Sequence, residues 1–291
     1  MREKQGGKVV EVSPDRLTDA GTMEQRHVIE VYDAISPHFS ATRYKPWPKV
    51  RMFIESLPKY SVVADVGCGN GRYFGCTRCF RVSSGNDEEV SASNEGGSIL
   101  PAYRHVVGID LSEGLLRQIG RLRTNKQLKW DNEGPVDTVD SSLNQGGVLD
   151  HIDLLRADAC HTALRGNIFD AAISIAVIHH LATHERRVEA VCELLRLLRP
   201  GGLALISVWA KEQPTKRTRT DAADVFVRWE MHELHDSKRR VYQRYYHLFS
   251  SGELECLVEE AGAVVKESYF DKENWCVILQ KGEKLSQDMA C

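Results

Sequence analysis

The sequence has no long hydrophobic run and no strong excess of charge of either sign. None of its apolar stretches approaches the roughly 20 residues that a membrane-spanning helix needs, and the first thirty residues are too charged for a secretory signal. Thirty-eight Lys and Arg against 41 Asp and Glu leave a formal charge of −3. We therefore expect neither a membrane span nor secretion, and a nucleic acid would have to be held by a local basic face.

The cysteines lack the pattern of a disulfide framework or of a zinc site. Eight cysteines occur in 291 residues, whereas disulfide frameworks are typical of short secreted domains. Cys76 and Cys79 form a C-x-x-C pair, but a structural zinc site usually takes two such pairs, and the sequence has no second one. We predict reduced thiols, no metal site, and a cytoplasmic location, with the nucleus as the alternative.

The composition is that of a globular protein, with 42% hydrophobic and 27% charged residues. Residues 1–21 mix charge with Gly and Ser and predict a flexible tail, as do residues 282–291. Between them, 22–281 are predicted to form a single domain that opens with helices and an arm in 22–58. The helical apolar spacing in that segment is expected to end at Pro37, and a second short helix is expected from Arg51.

Five apolar runs alternate with helical patterns, and a predicted hairpin follows them. Alternating strands and helices predict a doubly wound, Rossmann-like α/β fold, with a mostly parallel seven-stranded sheet and an antiparallel edge strand. The predicted strands are 61–66, 106–110, 152–157, 169–177, 203–208, 264–269 and 275–280.

Three polar or charged segments interrupt this alternation. Residues 76–102 and 123–149 are rich in Gly, Ser and Asn, and we expect them to be disordered insertions. The charged residues 211–240 are expected to form a loop on the substrate side. Loops longer than about 15 residues are rarely part of a compact core.

A glycine-rich loop follows the first strand of the predicted sheet, between Asp65 and Gly71. Such a loop lets the backbone approach a ligand closely. Arg72 stands where a dinucleotide fingerprint has its third glycine, so a pyrophosphate ligand is disfavoured. A carboxylate before the loop suits a nucleoside that carries an amino acid. The predicted cofactor-binding residues here are Asp65, Gly67, Cys68, Gly69 and Gly71.

Two further acids end the next two strands. Asp110, followed by Leu111, can accept both ribose hydroxyls, and Asp158, followed by Ala159, can accept the amine of adenine. Either acid alone would usually be a helix N-cap or a surface residue. Three successive strand ends together match S-adenosylmethionine, and Ala176, at the end of the fourth strand, completes the predicted cofactor site.

At this level of detail, residues 60–281 resemble the class I S-adenosylmethionine-dependent methyltransferases. Six segments resemble, more narrowly, the eukaryotic tRNA wobble-uridine methyltransferases, a family that includes the methyltransferase half of an AlkB-type tRNA enzyme: 40–48, 173–180, 185–188, 244–249, 252–255 and 274–281. The resemblance implies esterification of 5-carboxymethyluridine in the tRNA anticodon loop, and a small zinc-binding activator subunit as partner.

The resemblance also implies which residues act on the substrate. His179 and His180 follow the fourth strand, where class I enzymes present groups to the transferred methyl, and Arg43 could hold the carboxylate; these three are the predicted catalytic residues. Each could instead be structural. The predicted substrate-binding residues are Tyr44, Lys45, Trp47 and Arg244.

A carboxylate nucleophile is ionised at neutral pH, since carboxylic acids have reference pKa values near 4. It needs no general base, and catalysis would come from placing its oxygen in line with the methyl group. Two other functions share the same cofactor loops. One is a methyltransferase of small molecules such as a quinone or a lipid, and the other is a noncatalytic regulatory relative.

Overall fold

The computed structural model describes residues 9–13, 19–81, 99–101, 104–124, 129–131, 134–136, 151–213 and 220–282. The helices are α1 (Ala20–Glu24), α2 (Glu30–Thr42), α3 (Pro48–Ser56), α4 (Glu113–Thr124), α5 (His184–Leu197) and α6 (Glu253–Glu260), with a π-helical turn at Gln25–Ile29 and 3₁₀ turns at Phe74–Arg78 and Ile178–His180. The strands are β1 (Val9–Glu11), β2 (Val62–Val66), β3 (Cys79–Arg81), β4 (Ile99–Pro101), β5 (His105–Asp110), β6 (Lys129–Asp131), β7 (Gly134–Val136), β8 (Ile152–Arg156), β9 (Phe169–Ile175), β10 (Leu198–Trp209), β11 (Asp224–Glu230), β12 (Val241–His247), β13 (Val264–Asp271) and β14 (Asn274–Gln280).

The central sheet has seven strands in the order β13-β14-β10-β9-β2-β5-β8. Strands β10, β9, β2, β5 and β8 are parallel to one another, whereas β14 is antiparallel to both β10 and β13. The predicted mostly parallel sheet with antiparallel pairing at one edge is confirmed. Because the carboxyl ends of parallel strands meet at one edge of a sheet, the ends of β2, β5, β8 and β9 lie together.

Helices cover both faces of this sheet. On one face, α5 buries Val191 and Leu194 against Ala204 and Ile206 of β10. On the other face, α3 buries Ile54 among residues of β2, β9 and β10. Each fully buried Leu or Ile side chain contributes about 2 kcal/mol from the removal of apolar surface from water. The two layers hold the strand ends rigidly.

Helix α2 continues through Pro37, so the prediction that the helix ends there was wrong. A proline in a helix leaves the carbonyl four residues earlier without its usual N–H donor. Here that carbonyl belongs to Asp33, and the hydroxyl of Ser36 donates to it at 3.0 Å. The substitute hydrogen bond lets the helix run on to Thr42, and α3 then starts at Pro48, three residues before the predicted start.

Helix α2 also docks on α4 beside the end of β5. The Asp33 carboxylate accepts hydrogen bonds from the Ser112 hydroxyl at 2.6 Å and from the Gly114 N–H at 2.8 Å. A side chain at Gly114 would collide with the backbone of Asp33 at 2.8 Å. The N-terminal helices are therefore fixed directly over the predicted cofactor edge of the sheet.

A second sheet, with the order β1-β11-β12, lies beside the first. It corrects two predictions. The tail predicted over 1–21 contains β1, which pairs with β11, and α1 begins at Ala20. The loop predicted over 211–240 contains β11, whose apolar residues Val225, Val227 and Trp229 are buried. The sequence pattern did not reveal these strands because β11 pairs with β1, which lies far away in the chain.

The two predicted insertions lie partly outside the described residues. Strands β3 and β4 lie at the two ends of the first predicted insertion and pair with each other. Strands β6 and β7 lie within the second predicted insertion and also pair. These short stretches are therefore strands and not disordered loops. Residues 82–98 and 137–150, on which most of the prediction falls, are outside the described part of the chain, as are residues 283–291 of the predicted C-terminal tail.

Among the cysteines whose bonding the structure describes, the prediction is wrong at one position. Cys68, Cys160, Cys256 and Cys276 are free thiols, and Cys76 is not disulfide-bonded. Cys192 is disulfide-bonded, so the expectation of reduced thiols is wrong at this position. Over the described residues, none of the helices has the length and apolar character to cross a bilayer.

Candidate cofactor and substrate site

A cleft of about 1420 Å³ lies at the carboxyl ends of β2, β5, β8 and β9, beneath α2 and the second sheet. Nearly all the predicted cofactor residues line it: Asp65, Gly67, Cys68, Gly69, Asp110, Leu111, Asp158, Ala159 and Ala176. His179, His180, Arg43, Trp47 and Arg244 also line it. Gly71, Tyr44 and Lys45 do not line this cleft.

The glycine loop is held to the end of β5. The N–H groups of Gly67 and Cys68 donate to the carbonyl of Ile109 at 2.7 and 2.9 Å. Gly67 has a φ of +83°, and a Cβ there would lie 2.1 Å from Val177, so only glycine fits. A Cβ at Gly71 would instead meet the Phe74 ring at 2.7 Å. Gly71 therefore serves the packing of the loop and not the wall of the cleft.

Asp65 lies at the bottom of the cleft as a buried acid. It is only 2% exposed, and its Oδ2 has no hydrogen-bond partner among the described residues. Burial, with the nearby Asp110, raises the pKa of Asp65 to about 8. An unpaired carboxylate is costly to bury. The group therefore fits a cationic ligand, such as the ammonium of the predicted S-adenosylmethionine.

Asp110 is oriented by backbone donors on both sides. Its Oδ1 accepts from the Ser112 N–H and its Oδ2 from the Gly69 N–H, each at 2.8 Å. Burial raises its pKa to about 6, although these hydrogen bonds favour the ionised form. Because a carboxylate has about four acceptor positions, capacity remains for two ribose hydroxyls.

We expect Asp110→Ala to weaken binding of S-adenosylhomocysteine by about tenfold or more, because hydrogen bonds to a charged group each contribute about 1.5–3 kcal/mol. Isothermal titration calorimetry would measure the dissociation constant. Asp153→Ala is the matched control, since Asp153 lies on the neighbouring strand with its side chain 73% exposed. Equal affinities for the two variants would contradict the ribose role of Asp110.

Asp158, which is predicted to bind adenine, lines the cleft but is already partly paired within the protein. Its Oδ1 accepts from the Cys160 N–H at 2.9 Å, and its Oδ2 accepts from Arg186 at 3.0 Å. Arg186 also bonds Glu24 of α1 at 2.9 Å. Acceptor positions remain for an exocyclic amine. Helix α1 thus closes this end of the cleft through the ion pair of Glu24 with Arg186, and neither residue was among the predicted site residues.

The two adjacent histidines have different surroundings. His180 uses both ring nitrogens: Nδ1 donates to the Tyr245 carbonyl at 2.7 Å, and Nε2 accepts from the Tyr32 hydroxyl at 2.9 Å. Its pKa falls to about 3 because of burial. Both ring nitrogens of this neutral imidazole are thus engaged within the protein, and its predicted contact with the substrate stays a prediction.

His179 has one ring nitrogen free for a ligand. The Nδ1 of His179 accepts a hydrogen bond from the backbone N–H of Trp209 at 3.0 Å, so the ring proton of His179 is on Nε2. That Nε2 is buried and has no partner among the described residues. Burial lowers the pKa of His179 well below its ordinary value. His179 therefore offers a neutral N–H donor to the cleft.

We expect His179→Asn to reduce kcat/KM about tenfold, as loss of one buried hydrogen bond predicts, with the dissociation constant for S-adenosylhomocysteine unchanged. Steady-state kinetics and calorimetry separate these quantities. His184→Asn provides a control histidine on the exposed surface. Wild-type kinetics in His179→Asn would return this residue to a structural role.

Arginines line the predicted substrate side of the cleft. Arg244 is 7% exposed; one of its terminal nitrogens donates to the Tyr246 hydroxyl at 2.7 Å, and its Nε has no hydrogen-bond partner in the described part of the chain. No carboxylate of the described residues pairs with Arg244 or Arg43. Burial, then Arg244 and Arg72, lower the pKa of Arg43. Such an arrangement is suited to an anionic ligand.

The arm that carries Arg43 is tied to the glycine loop. The carbonyl of Arg43 accepts hydrogen bonds from Asn70 and Arg72, each at 3.1 Å, and the Arg72 guanidinium lies 5.6 Å from the Trp47 ring centroid. The structure thus places Arg43 and Trp47 at the cleft, while Tyr44 and Lys45 lie on the arm outside it. Their predicted substrate contact stays a prediction.

Sequence reasoning missed several residues of the cleft. The contacts of most of them run between distant segments, whereas Asn70 lies within the predicted glycine loop and Arg186 within the segment 185–188. The alternation of apolar residues in β11 could have predicted a strand that carries Trp229. Arg72 entered the sequence analysis only because it stands where a dinucleotide fingerprint has its third glycine. The missed residues are Glu24, Tyr32, Asn70, Arg72, Arg186, Trp209 and Trp229.

Comparison with known proteins agrees with this geometry. A protein-family model described as a methyltransferase domain matches residues 90–206. The tRNA (carboxymethyluridine(34)-5-O)-methyltransferase of Schizosaccharomyces pombe is 36% identical, over 89% of this chain and 97% of the yeast protein. The Xenopus tropicalis protein of the same name, alkbh8, is 34% identical over 93% of this chain. The chain spans 44% of the length of that Xenopus protein.

Solved structures agree on the fold. An S-adenosylmethionine-dependent methyltransferase of Methanosarcina mazei has a TM-score of 0.52 at 14% identity and covers 82% of this chain and 100% of its own. A Haloferax volcanii complex of the Trm112 methyltransferase activator with a methyltransferase includes a chain with a TM-score of 0.52 at 13% identity, covering 88% of this chain and 99% of its own. At these identities the likeness concerns the fold alone. The Saccharomyces cerevisiae protein of the same name is 30% identical to this chain, over 91% of this chain and 99% of its own length. Together with the match to the fission yeast protein, it shows that the chain belongs to the tRNA (carboxymethyluridine(34)-5-O)-methyltransferase family.

Proposed function

We propose that this protein transfers a methyl group from S-adenosylmethionine to the carboxylate of 5-carboxymethyluridine at the wobble position of tRNA, giving the methyl ester. The observation that supports this most directly is Arg244, a buried cation on the cleft wall with no carboxylate partner among the described residues. Leaving a charge buried without a counter-ion is costly. A carboxylate substrate would supply that counter-ion beside the methyl donor.

The chain's own residues fit the donor. Asp65 would hold its ammonium, Asp110 its ribose hydroxyls and Asp158 its adenine amine, in the order of the strands that carry them. When bound, S-adenosylmethionine supplies an electrophilic methyl group on a positively charged sulfur. The free oxygen of Asp65 is the structural observation that supports this fit.

The substrate carboxylate needs orientation instead of activation, because it is already ionised at neutral pH. Arg43 and Arg244 would bind it, and the Nε2–H of His179 would donate to it or to the uracil ring. The cleft is walled by Trp209 and Tyr246, whose rings stack at 4.4 Å between centroids. These rings limit the access of water, which favours a fixed line of attack on the methyl group.

We also propose an activator subunit as partner. The strand β8 forms one edge of the central sheet, and among the described strands it pairs only with β5. An edge strand is a ready template for pairing with another chain. Co-purification with a Trm112-type activator, lost on mutation of β8, would test this partner.

The cytoplasmic location stays a prediction.

The test of the reaction uses tRNA that carries 5-carboxymethyluridine and a donor with a labelled methyl group. We expect label to enter the tRNA and to be released by mild alkali, as an ester would be. The matched control is the same tRNA with unmodified uridine at position 34, which should remain unlabelled. Alkali-stable label, or equal labelling of both tRNAs, would overturn the proposed function.

A further inference from the structure

A tryptophan that the sequence prediction placed in a loop lies against both arginines of the substrate side. We propose that Trp229 is a positioning residue that holds Arg43 and Arg244 together as one carboxylate-binding pair. This inference rests on the proposed function and adds to it the group that makes the arginine pair possible. In this proposal, Trp229 makes the site prefer a charged substrate over a neutral one because it holds the two arginines together.

Trp229 is rigidly placed. It lies on β11 opposite Tyr242 of β12, and its side chain is 5% exposed. The ring of His38 meets it edge-on at 5.1 Å between centroids, and the ring of Phe39 lies at 6.1 Å. Helix α2 and the second sheet thus fix the indole from two directions.

Both guanidinium groups lie within cation–π distance of this one ring. The central carbon of Arg244 is 4.7 Å from the indole centroid, and that of Arg43 is 5.7 Å from it. Arg244 comes from β12 and Arg43 from the arm after α2, so the indole is a shared contact of two separate segments. Tyr246 adds a second ring at 5.2 Å from Arg244.

Two neighbouring cations without a counter-ion repel one another. After burial, the positive charge of Arg244 contributes most to lowering the pKa of Arg43, in agreement with the contact of both guanidinium groups with one indole. The face of an indole carries negative electrostatic potential and attracts cations, most strongly in a site shielded from water. Trp229 can therefore keep both arginines in place before the substrate arrives.

This arrangement explains a preference for charge. A carboxylate would neutralise the pair through charge-assisted hydrogen bonds. A carboxamide of the same size would leave both cations uncompensated, and its NH₂ group would face N–H donors. Without the indole, the arginines would be free to separate, and the site would lose its complementarity to a compact anion.

The test changes the electrostatics of the ring without changing its shape. Tryptophans with one to four ring fluorines, which progressively weaken cation–π attraction, are introduced at position 229 alone. We expect the KM for tRNA containing 5-carboxymethyluridine to rise stepwise, by about tenfold in total. The dissociation constant for S-adenosylhomocysteine should stay constant, and this constancy shows that each variant is folded.

The same fluorinated series at Trp275 is the matched control. Trp275 is partly buried and bonds Glu212 through its indole N–H at 3.0 Å, and it does not line the cleft. A KM that does not change with fluorination at position 229, or that rises equally in both series, would overturn the role of Trp229. Failure of the unmodified enzyme to form the ester would instead overturn the proposed function, so the two failures are distinguishable.

Discussion

Replacing Arg244 by glutamine is expected to lower kcat/KM for ester formation by about a hundredfold or more. Truncating one partner of a buried, hydrogen-bonded charge pair costs about 2–5 kcal/mol, and Arg244 is the most enclosed cation that faces the substrate side. The loss should appear in the use of tRNA, because the hydrogen bonds that orient Asp110 and Asp158 come from other residues than Arg244. Single-turnover methyl transfer at saturating cofactor would measure it.

Two companion variants sharpen this prediction. Arg244→Lys keeps the charge but loses the planar fork that matches a carboxylate, so we expect it to recover only part of the loss. Arg117→Gln removes an exposed cation of α4 that pairs with Glu113, and it should behave as wild type. If Arg244→Gln retained wild-type kcat/KM while still binding S-adenosylhomocysteine, the carboxylate site would have to lie elsewhere.

The meeting of the three acids in one cleft was predictable from the sequence, because each acid is marked by its immediate neighbours. Asp65, Asp110 and Asp158 each follow an apolar strand, and the parallel arrangement of strands brings their ends together without further information. Position relative to a strand is encoded in a few neighbouring residues. Gly71 shows the limit of this reasoning, since its motif position indicated a ligand contact and the structure assigns it to packing against Phe74.

The substrate end was less predictable because its residues come from distant segments. Tyr32 meets His180 and Tyr246 across gaps of 148 and 214 residues. The position of Trp229 is set by the pairing of β11 with β1 and β12. The sequence did not predict β11 because the many charged residues of 211–240 indicated a loop. Nor could the sequence distinguish His179 from His180, because only the structure shows which of the two rings has an unpaired nitrogen.

Binding of S-adenosylhomocysteine is expected to tighten as the pH rises from 6.5 to 8. The pKa of Asp65 is raised to about 8 by burial and by Asp110, so the ligand-free protein carries this carboxyl mostly protonated at neutral pH. The ligand's ammonium prefers the ionised form, and binding below pH 8 must therefore release a proton. A single such group gives a dissociation constant that falls by up to about tenfold per pH unit and then levels off.

The same raised pKa has the opposite effect on the ligand-free fold. Between the unfolded pKa near 4 and the folded value near 8, the folded protein binds the extra proton, so its stability falls as the pH rises through this range. Asp65→Asn mimics the protonated form. We therefore expect this variant to remove that part of the pH dependence of the melting temperature, while its affinity for S-adenosylhomocysteine falls by about a hundredfold at pH 8.5, as loss of a buried ion pair predicts.

Calorimetry in buffers of different ionisation enthalpy would count the proton released on binding, and Asp65→Asn should release none. In Asp110→Asn the pKa of Asp65 should fall, because Asp110 contributes to raising it, so the pH at which the affinity levels off should move to a lower value. A flat affinity profile in the wild-type protein between pH 6.5 and 8 would show that Asp65 does not hold the ammonium. The free Oδ2 at the bottom of the cleft would then need another partner, and the order of ligand groups along the strand ends would have to be revised.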